Sequence, residues 1–392
     1  MEIDGLLIAF GCLLLAGLGL DALGRRTRLP RITLLVLFGL VVGPAGVDLL
    51  PIGTDGWYET VAKVALTMIA FLLGGELSKR ALQAHGRAIL AVSLCVMIAT
   101  LLFIAGGLLF IGVPVALALL LAGIGTATAP ASTHDVVKEV GTEGPFTRTV
   151  LGVVAIDDAW GIIAFSVILG FLAGAGTQGL AAGLTNGLVD VLGAVVVGLV
   201  VGLPGAYATG RVQSGQPTLA EALGIVLLCA GLSLYFEVSF LLAGMTAGAV
   251  IVNLARHHDY PFHEIEYISW PFLILFFVLA GATVDVEAIF DGGVVVIAFI
   301  VLRLAGRLLG GWMGGRLGGM PDRQGWLMGI ALTPQAGVAL GMALVASEAA
   351  PDIAPMLLTI TVGTTIFFEL VGPILTRFAL RRAAEAEQSG SG

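Results

Sequence analysis

Thirteen stretches of roughly twenty apolar residues divide this 392-residue chain, and no other feature narrows its fold as far. Inside lipid a backbone finds no water to bond, so only helices, or barrels without an edge, can cross. A helix needs about 20 apolar residues for the crossing and a strand only about 10, which selects helices here. The runs lie at roughly 4–22, 31–50, 58–77, 88–111, 114–133, 149–172, 181–207, 218–235, 239–255, 269–284, 294–315, 324–347 and 353–379. The sequence therefore predicts an all-α, polytopic membrane protein with 13 transmembrane helices. At 12% charged residues the chain is excluded from the ordinary soluble class, and no nucleic-acid partner is expected. Its 56 glycines fall within apolar runs, where they suit close helix packing. Cys12, Cys95 and Cys229 sit inside predicted spans and read as small packing residues rather than a disulfide framework.

Charge in the loops gives an independent reading of the same topology. Sixteen of the 19 Lys and Arg fall in odd-numbered loops and the C-terminal region, among them Arg25, Arg26, Arg28, Arg31, Lys79, Arg80, Arg87, Arg211 and Arg256. Even-numbered loops are free of Lys and Arg and carry acids in 48–59, 285–291 and 348–352. Basic loops stay on the cytoplasmic side. The N-terminus is thus expected outside and the C-terminus in the cytoplasm, with the first span retained and a short disordered tail over 383–392.

Two spans are interrupted in the same way. Span 5 contains Thr128-Ala129-Pro130-Ala131 and span 12 contains Thr333-Pro334-Gln335-Ala336. They are seven spans apart, and an odd offset reverses direction in the membrane. Spans 1–6 and 8–13 then form two inverted-topology repeats, with unwound helices crossing at the midplane, the arrangement in which transporters bind substrate.

Few ionisable side chains lie deep in these spans. Asp157 and Asp158 stand side by side in span 6, Arg303 and Arg307 share a face of span 11, and Glu369 lies in span 13. A charge at the bilayer centre costs about 2.5–3.5 kcal/mol on insertion scales, so an adjacent pair points to a cation or proton site. Neighbours on a helix diverge by about 100°, and the two carboxylates must face different surroundings. Each arginine stays charged and calls for a buried anion. Three acids against two bases leave one carboxylate to exchange a proton for a cation. Asp190 and Glu221 lie nearer helix ends and read as interface or packing residues, Lys63 can snorkel from the outer end of span 3, and Glu76 at the inner end of its span reads as lining a vestibule.

A cation leaving water needs oxygens, and the interruptions offer them. Pro130 deprives the Thr126 carbonyl of its usual donor, and Pro334 does the same for Ile330. Thr128 and Ser132 add hydroxyls beside the first break.

The run TATAPAST, then AIDDAWGI, RLAGRLLGGWMGGRLGG, ALTPQAGVALGMA and FFELVGP, together with GGEL at 74–77 and LAGATVDVEAI at 279–289, resembles the monovalent cation/proton antiporter superfamily over essentially the whole chain. The branch it looks most like is the second, which includes bacterial sodium/proton exchangers. That resemblance implies a homodimeric carrier in a bacterial inner membrane, a single transporter domain over 1–382 that exchanges a monovalent cation for protons. Core helices at about 88–172 and 294–379 would move like an elevator against a dimerisation scaffold. Asp158 matches the carboxylate that takes cation or proton, Asp157 the position that pairs with a base on the Arg303–Arg307 span, and Thr128 the unwound-helix position. Arg307 departs from the lysine of electrogenic members. No cofactor is expected beyond the transported Na+ and H+.

Sodium is the first candidate, with lithium and potassium open, because hard oxygens serve all three. A sodium-coupled solute symporter of similar fold is the alternative. An intramembrane aspartyl protease is disfavoured, since adjacent residues cannot face each other as a dyad, and no enzyme activity is expected.

Overall fold

The computed structural model describes residues 3–27, 30–47, 57–77, 86–142, 144–178, 180–209, 218–255, 259–283 and 293–389. Arg28, Lys79, Arg80, Arg211 and Arg256, and the acidic stretches 48–56 and 285–291, lie outside those residues. Among the described residues the chain is helical and holds no strand. The helices are α1 (Ile3–Thr27), α2 (Arg31–Val42), α3 (Trp57–Glu76), α4 (Gly86–Phe110), α5 (Val115–Gly125), α6 (Pro130–Val140), α7 (Pro145–Gln178) and α8 (Leu180–Thr209). They continue with α9 (Thr218–Tyr235), α10 (Phe240–Leu254), α11 (Asp259–Ala282), α12 (Gly293–Leu317), α13 (Asp322–Ala331), α14 (Gly337–Ala349) and α15 (Ala354–Ser389).

Every predicted span holds one helix, except those interrupted at Pro130 and Pro334, which hold two each. The fifth divides into α5 and α6, with Pro130 as the first residue of α6, and the twelfth divides into α13 and α14. Proline suits the first turn of a helix, where its missing N–H has no partner to lose. By length and composition six of the described helices can cross a bilayer, and six more are shorter and apolar. The tail is a correction: α15 runs through Ser389, so most of the stretch expected to be disordered is helical. Ala383, Ala384, Glu385, Ala386 and Glu387 are strong helix formers, and they extend the helix beyond the apolar run.

The chain forms two compact units, one of Met1–Ser78 with Gly174–Val286 and the other of Lys79–Ala173 with Glu287–Gly392. In the first, α2 packs on α11, and α10 packs on α3 and α8. Beside a core of apolar side chains, some of its helices meet backbone to backbone through glycine. A Cβ on Gly39 would fall 1.9 Å from the Val278 carbonyl oxygen, and one on Gly248 would fall 2.1 Å from that of Phe71. Polar groups near helix ends act locally here: Asp190 accepts from the Ser239 N–H at 2.7 Å at the start of α10, and Glu221 accepts from the Thr209 hydroxyl at 2.9 Å.

The second unit is built on α12. Gly306, Gly310 and Gly314 recur every four residues, and a Cβ on any of them would lie about 2.5 Å from a Cα of α4, at Thr100, Val96 and Val92. Gly311 and Gly315 face α13 on another side, against Gly329 and Gly325. These stripes let α12 lie close between α4 and α13. Arg303 precedes Gly306 by about one turn, and Arg307 precedes Gly310 and Gly311 by about one turn. The opposite face of α4, with Leu90, Leu94, Ile98 and Leu102, is exposed and apolar, which suits lipid.

Candidate functional site

Two helices of the second unit stop at the same place. α5 ends at Gly125 and α13 at Ala331, and each leaves carbonyls without helical partners. Each such end carries roughly half a negative charge. Two arginines of α12 answer them. Arg303 donates from Nε to Gly125 O at 2.9 Å, from Nη2 to Ala127 O at 2.8 Å and from Nη1 to Thr333 O at 2.7 Å. One guanidinium thus ties the end of α5 to the end of α13, with the Phe368 ring 4.2 Å away across its face. Arg307 donates from Nη2 to Thr126 O at 2.5 Å and Ala127 O at 3.1 Å. Its Nη1 donates to Asp157 Oδ2 at 2.6 Å.

The aspartates part as neighbours on a helix must. Asp157 faces α12 and Arg307. Asp158 faces the break after α5, where its Oδ1 accepts from the Thr128 N–H at 3.0 Å and from the Thr128 hydroxyl at 3.2 Å. Both carboxylates and both guanidiniums are buried to within 1%. One oxygen of each carboxylate, Asp157 Oδ1 and Asp158 Oδ2, has no hydrogen-bond partner. A buried anion with an unused oxygen is costly in an apolar interior, and a bound cation or proton relieves that cost.

The chain matches the family described as sodium/hydrogen exchanger, transmembrane, over residues 10–382. It belongs to that family. It is 23% identical to the ammonium/H+ antiporter subunit AmhT of Alkalihalophilus pseudofirmus, over 84% of this chain and 83% of that one. It is 28% identical to the Na+/H+ antiporter NhaP of Pseudomonas aeruginosa over 44% of this chain and 42% of that protein. The sodium/proton antiporter MjNhaP1 of Methanocaldococcus jannaschii has a similar fold, with a TM-score of 0.75, 20% identity and coverage of 96% and 97% of the two chains. The superfamily implied by the motifs is thereby shown. Within it these relatives are of the first-branch type, where the motifs had suggested the second.

The exchanger fold brings Asp157, Asp158, Thr128, Arg303 and Arg307 into one network. Pro130 and Pro334 stand at the two breaks, and a Cβ on Gly372 of α15 would lie 2.6 Å from Pro334 Cα. Ser132 is half-buried on the first turn of α6, and the hydrogen bonds of Asp158 go to Thr128 instead. Glu369 is buried on α15 beside Phe368, while the acceptors of Arg303 and Arg307 lie elsewhere. The anion that Arg303 was expected to need is supplied by carbonyls, because two helix C-termini together amount to about one negative charge. Nor do the carbonyls freed by proline stay free. Thr126 O accepts from Arg307, and Ile330 O accepts from the Thr333 hydroxyl at 2.8 Å.

Gln335 was missed by the sequence reading. It is wholly buried, and its Nε2 donates to Ile124 O at 3.2 Å. The signal was present, since a buried amide beside a proline break in an apolar run is unusual.

Proposed function

We propose that this chain is a secondary antiporter that exchanges a monovalent cation for protons at Asp158. One observation carries the reading. Asp158 is a buried carboxylate held on one oxygen by Thr128 at a broken helix and unpartnered on the other. Proton and cation compete for that oxygen, and neither can stay when the other binds. Asp157 is engaged by Arg307 and sets the field around the site rather than carrying cargo. Thr128 contributes its hydroxyl as a further oxygen near the cation. Arg303 holds the two breaks together, and Pro130 and Pro334 keep them unwound.

Sodium is the cation proposed first, with lithium and potassium next. One relative is named for ammonium, so ammonium joins the set to be tested. For the transport step we propose alternating access by an elevator movement, with Lys79–Ala173 and Glu287–Gly392 as the moving body. The other unit then serves as scaffold and homodimer contact. All thirteen predicted spans cross the bacterial inner membrane in this reading, with the N-terminus outside and the C-terminus in the cytoplasm.

The experiment is reconstitution into proteoliposomes with an imposed pH gradient. Addition of the transported cation is expected to dissipate the gradient without any organic solute. A gradient left intact, with cation uptake that requires an organic solute, would instead establish the symporter alternative.

A further inference from the structure

Gln335 lies in the stretch between α13 and α14, yet its one hydrogen bond reaches the other break. The Ile124 carbonyl that it meets at 3.2 Å also accepts the Ala127 N–H at 3.2 Å, the bond that closes the turn at the end of α5. The next residue is Thr128, whose N–H and hydroxyl hold Asp158. A side chain from the second interruption therefore braces the turn of the first, at the carbonyl on which that turn closes. Packing alone does not explain an amide here. Its Oε1 is buried without a partner, a cost that an apolar side chain of the same size avoids.

We propose that Gln335 is a positioning residue for the cation site. By holding the 124–127 turn it fixes the direction of the Thr128 N–H and hydroxyl, and so the strength with which Asp158 is held ready for a cation. The proposal rests on Asp158 being the exchanging carboxylate.

Gln335→Met tests it, since methionine keeps the length and volume and removes the donor. The assay is cation-driven proton movement in proteoliposomes at a series of cation concentrations. The apparent KM is expected to rise about three- to tenfold, the worth of one neutral hydrogen bond, with kcat within about twofold. In combination with Thr128→Val the substitution is expected to raise the KM by less than it does in wild type, because the hydroxyl is then gone and only the Thr128 N–H remains for Gln335 to position. Gln335→Asn keeps the amide but falls short of Ile124, and is expected to give the same KM shift, so either variant serves if the other does not fold. A wild-type KM in a folded Gln335 variant, or additive effects with Thr128→Val, would overturn the proposal alone. A wild-type protein that moves no protons on cation addition would overturn the reading of Asp158, and this proposal with it.

Discussion

Arg307 meets Asp157 at 2.6 Å with both side chains wholly buried, while the adjacent Asp158 turns away to Thr128. One aspartate of the pair is thus committed to a permanent cation and the other is not. At an effective dielectric of about 20, two unit charges about 4 Å apart attract by roughly 4 kcal/mol. Arginine, unlike lysine, does not release its proton.

Electroneutral exchange is expected, with one proton per monovalent cation. Electrophysiology on a supported membrane is expected to record no transport current that scales with turnover. A sustained cation-induced current would show a second proton carrier, and its loss in Asp157→Asn would identify it.

Arg303→Lys is expected to destabilise the protein even though charge is kept. A single ammonium cannot reach Gly125, Ala127 and Thr333 together, and hydrogen bonds from a charged group contribute about 1.5–3 kcal/mol each. Thermal unfolding in detergent measures it, and an unchanged midpoint would contradict the role of Arg303 as the tie between the two breaks.

The glycine stripe of α12 gives a test of packing. Gly310→Ala puts a Cβ 2.5 Å from Val96 Cα, backbone that cannot step aside, and is expected to cost about 1–3 kcal/mol. Gly106→Ala on α4 meets nothing within 4 Å and should leave the unfolding midpoint in place. Equal effects at the two positions would refute close α4–α12 packing as the source of stability.

Topology is tested with reporters at both ends. Thirteen crossings with basic odd-numbered loops are expected to put the N-terminus outside and the C-terminus in the cytoplasm, and both reporters in one compartment would require an even number.

What the sequence discloses and what it hides follow from the physics of each signal. Pro130 and Pro334 mark both breaks, while Pro204, Pro271 and Pro373 lie within helices that continue, so proline alone does not announce one. Adjacent Asp157 and Asp158 disclose that their surroundings differ, because helical geometry alone separates them. The partner of each carbonyl is another matter. Thr126 O is freed by Pro130, but whether a cation, a water or a guanidinium takes it depends on which helix crosses there. That crossing is set by glycine spacing on α12, which is legible as close packing yet does not name the helix it packs against. Arg303 was assigned an anion because charge is countable along a chain, whereas the charge of two converging helix ends exists only once they converge. Gln335 escaped for the same reason, its bond spanning 211 positions.

The most direct test is proton movement in proteoliposomes carrying wild type or Asp158→Asn, with the pH gradient imposed and each monovalent cation added in turn. Cation addition is expected to collapse the gradient in wild type and to leave it untouched in Asp158→Asn, with the variant inserted and folded as wild type. Cation-driven collapse at the wild-type rate in Asp158→Asn would contradict the assignment of Asp158 as the exchange site.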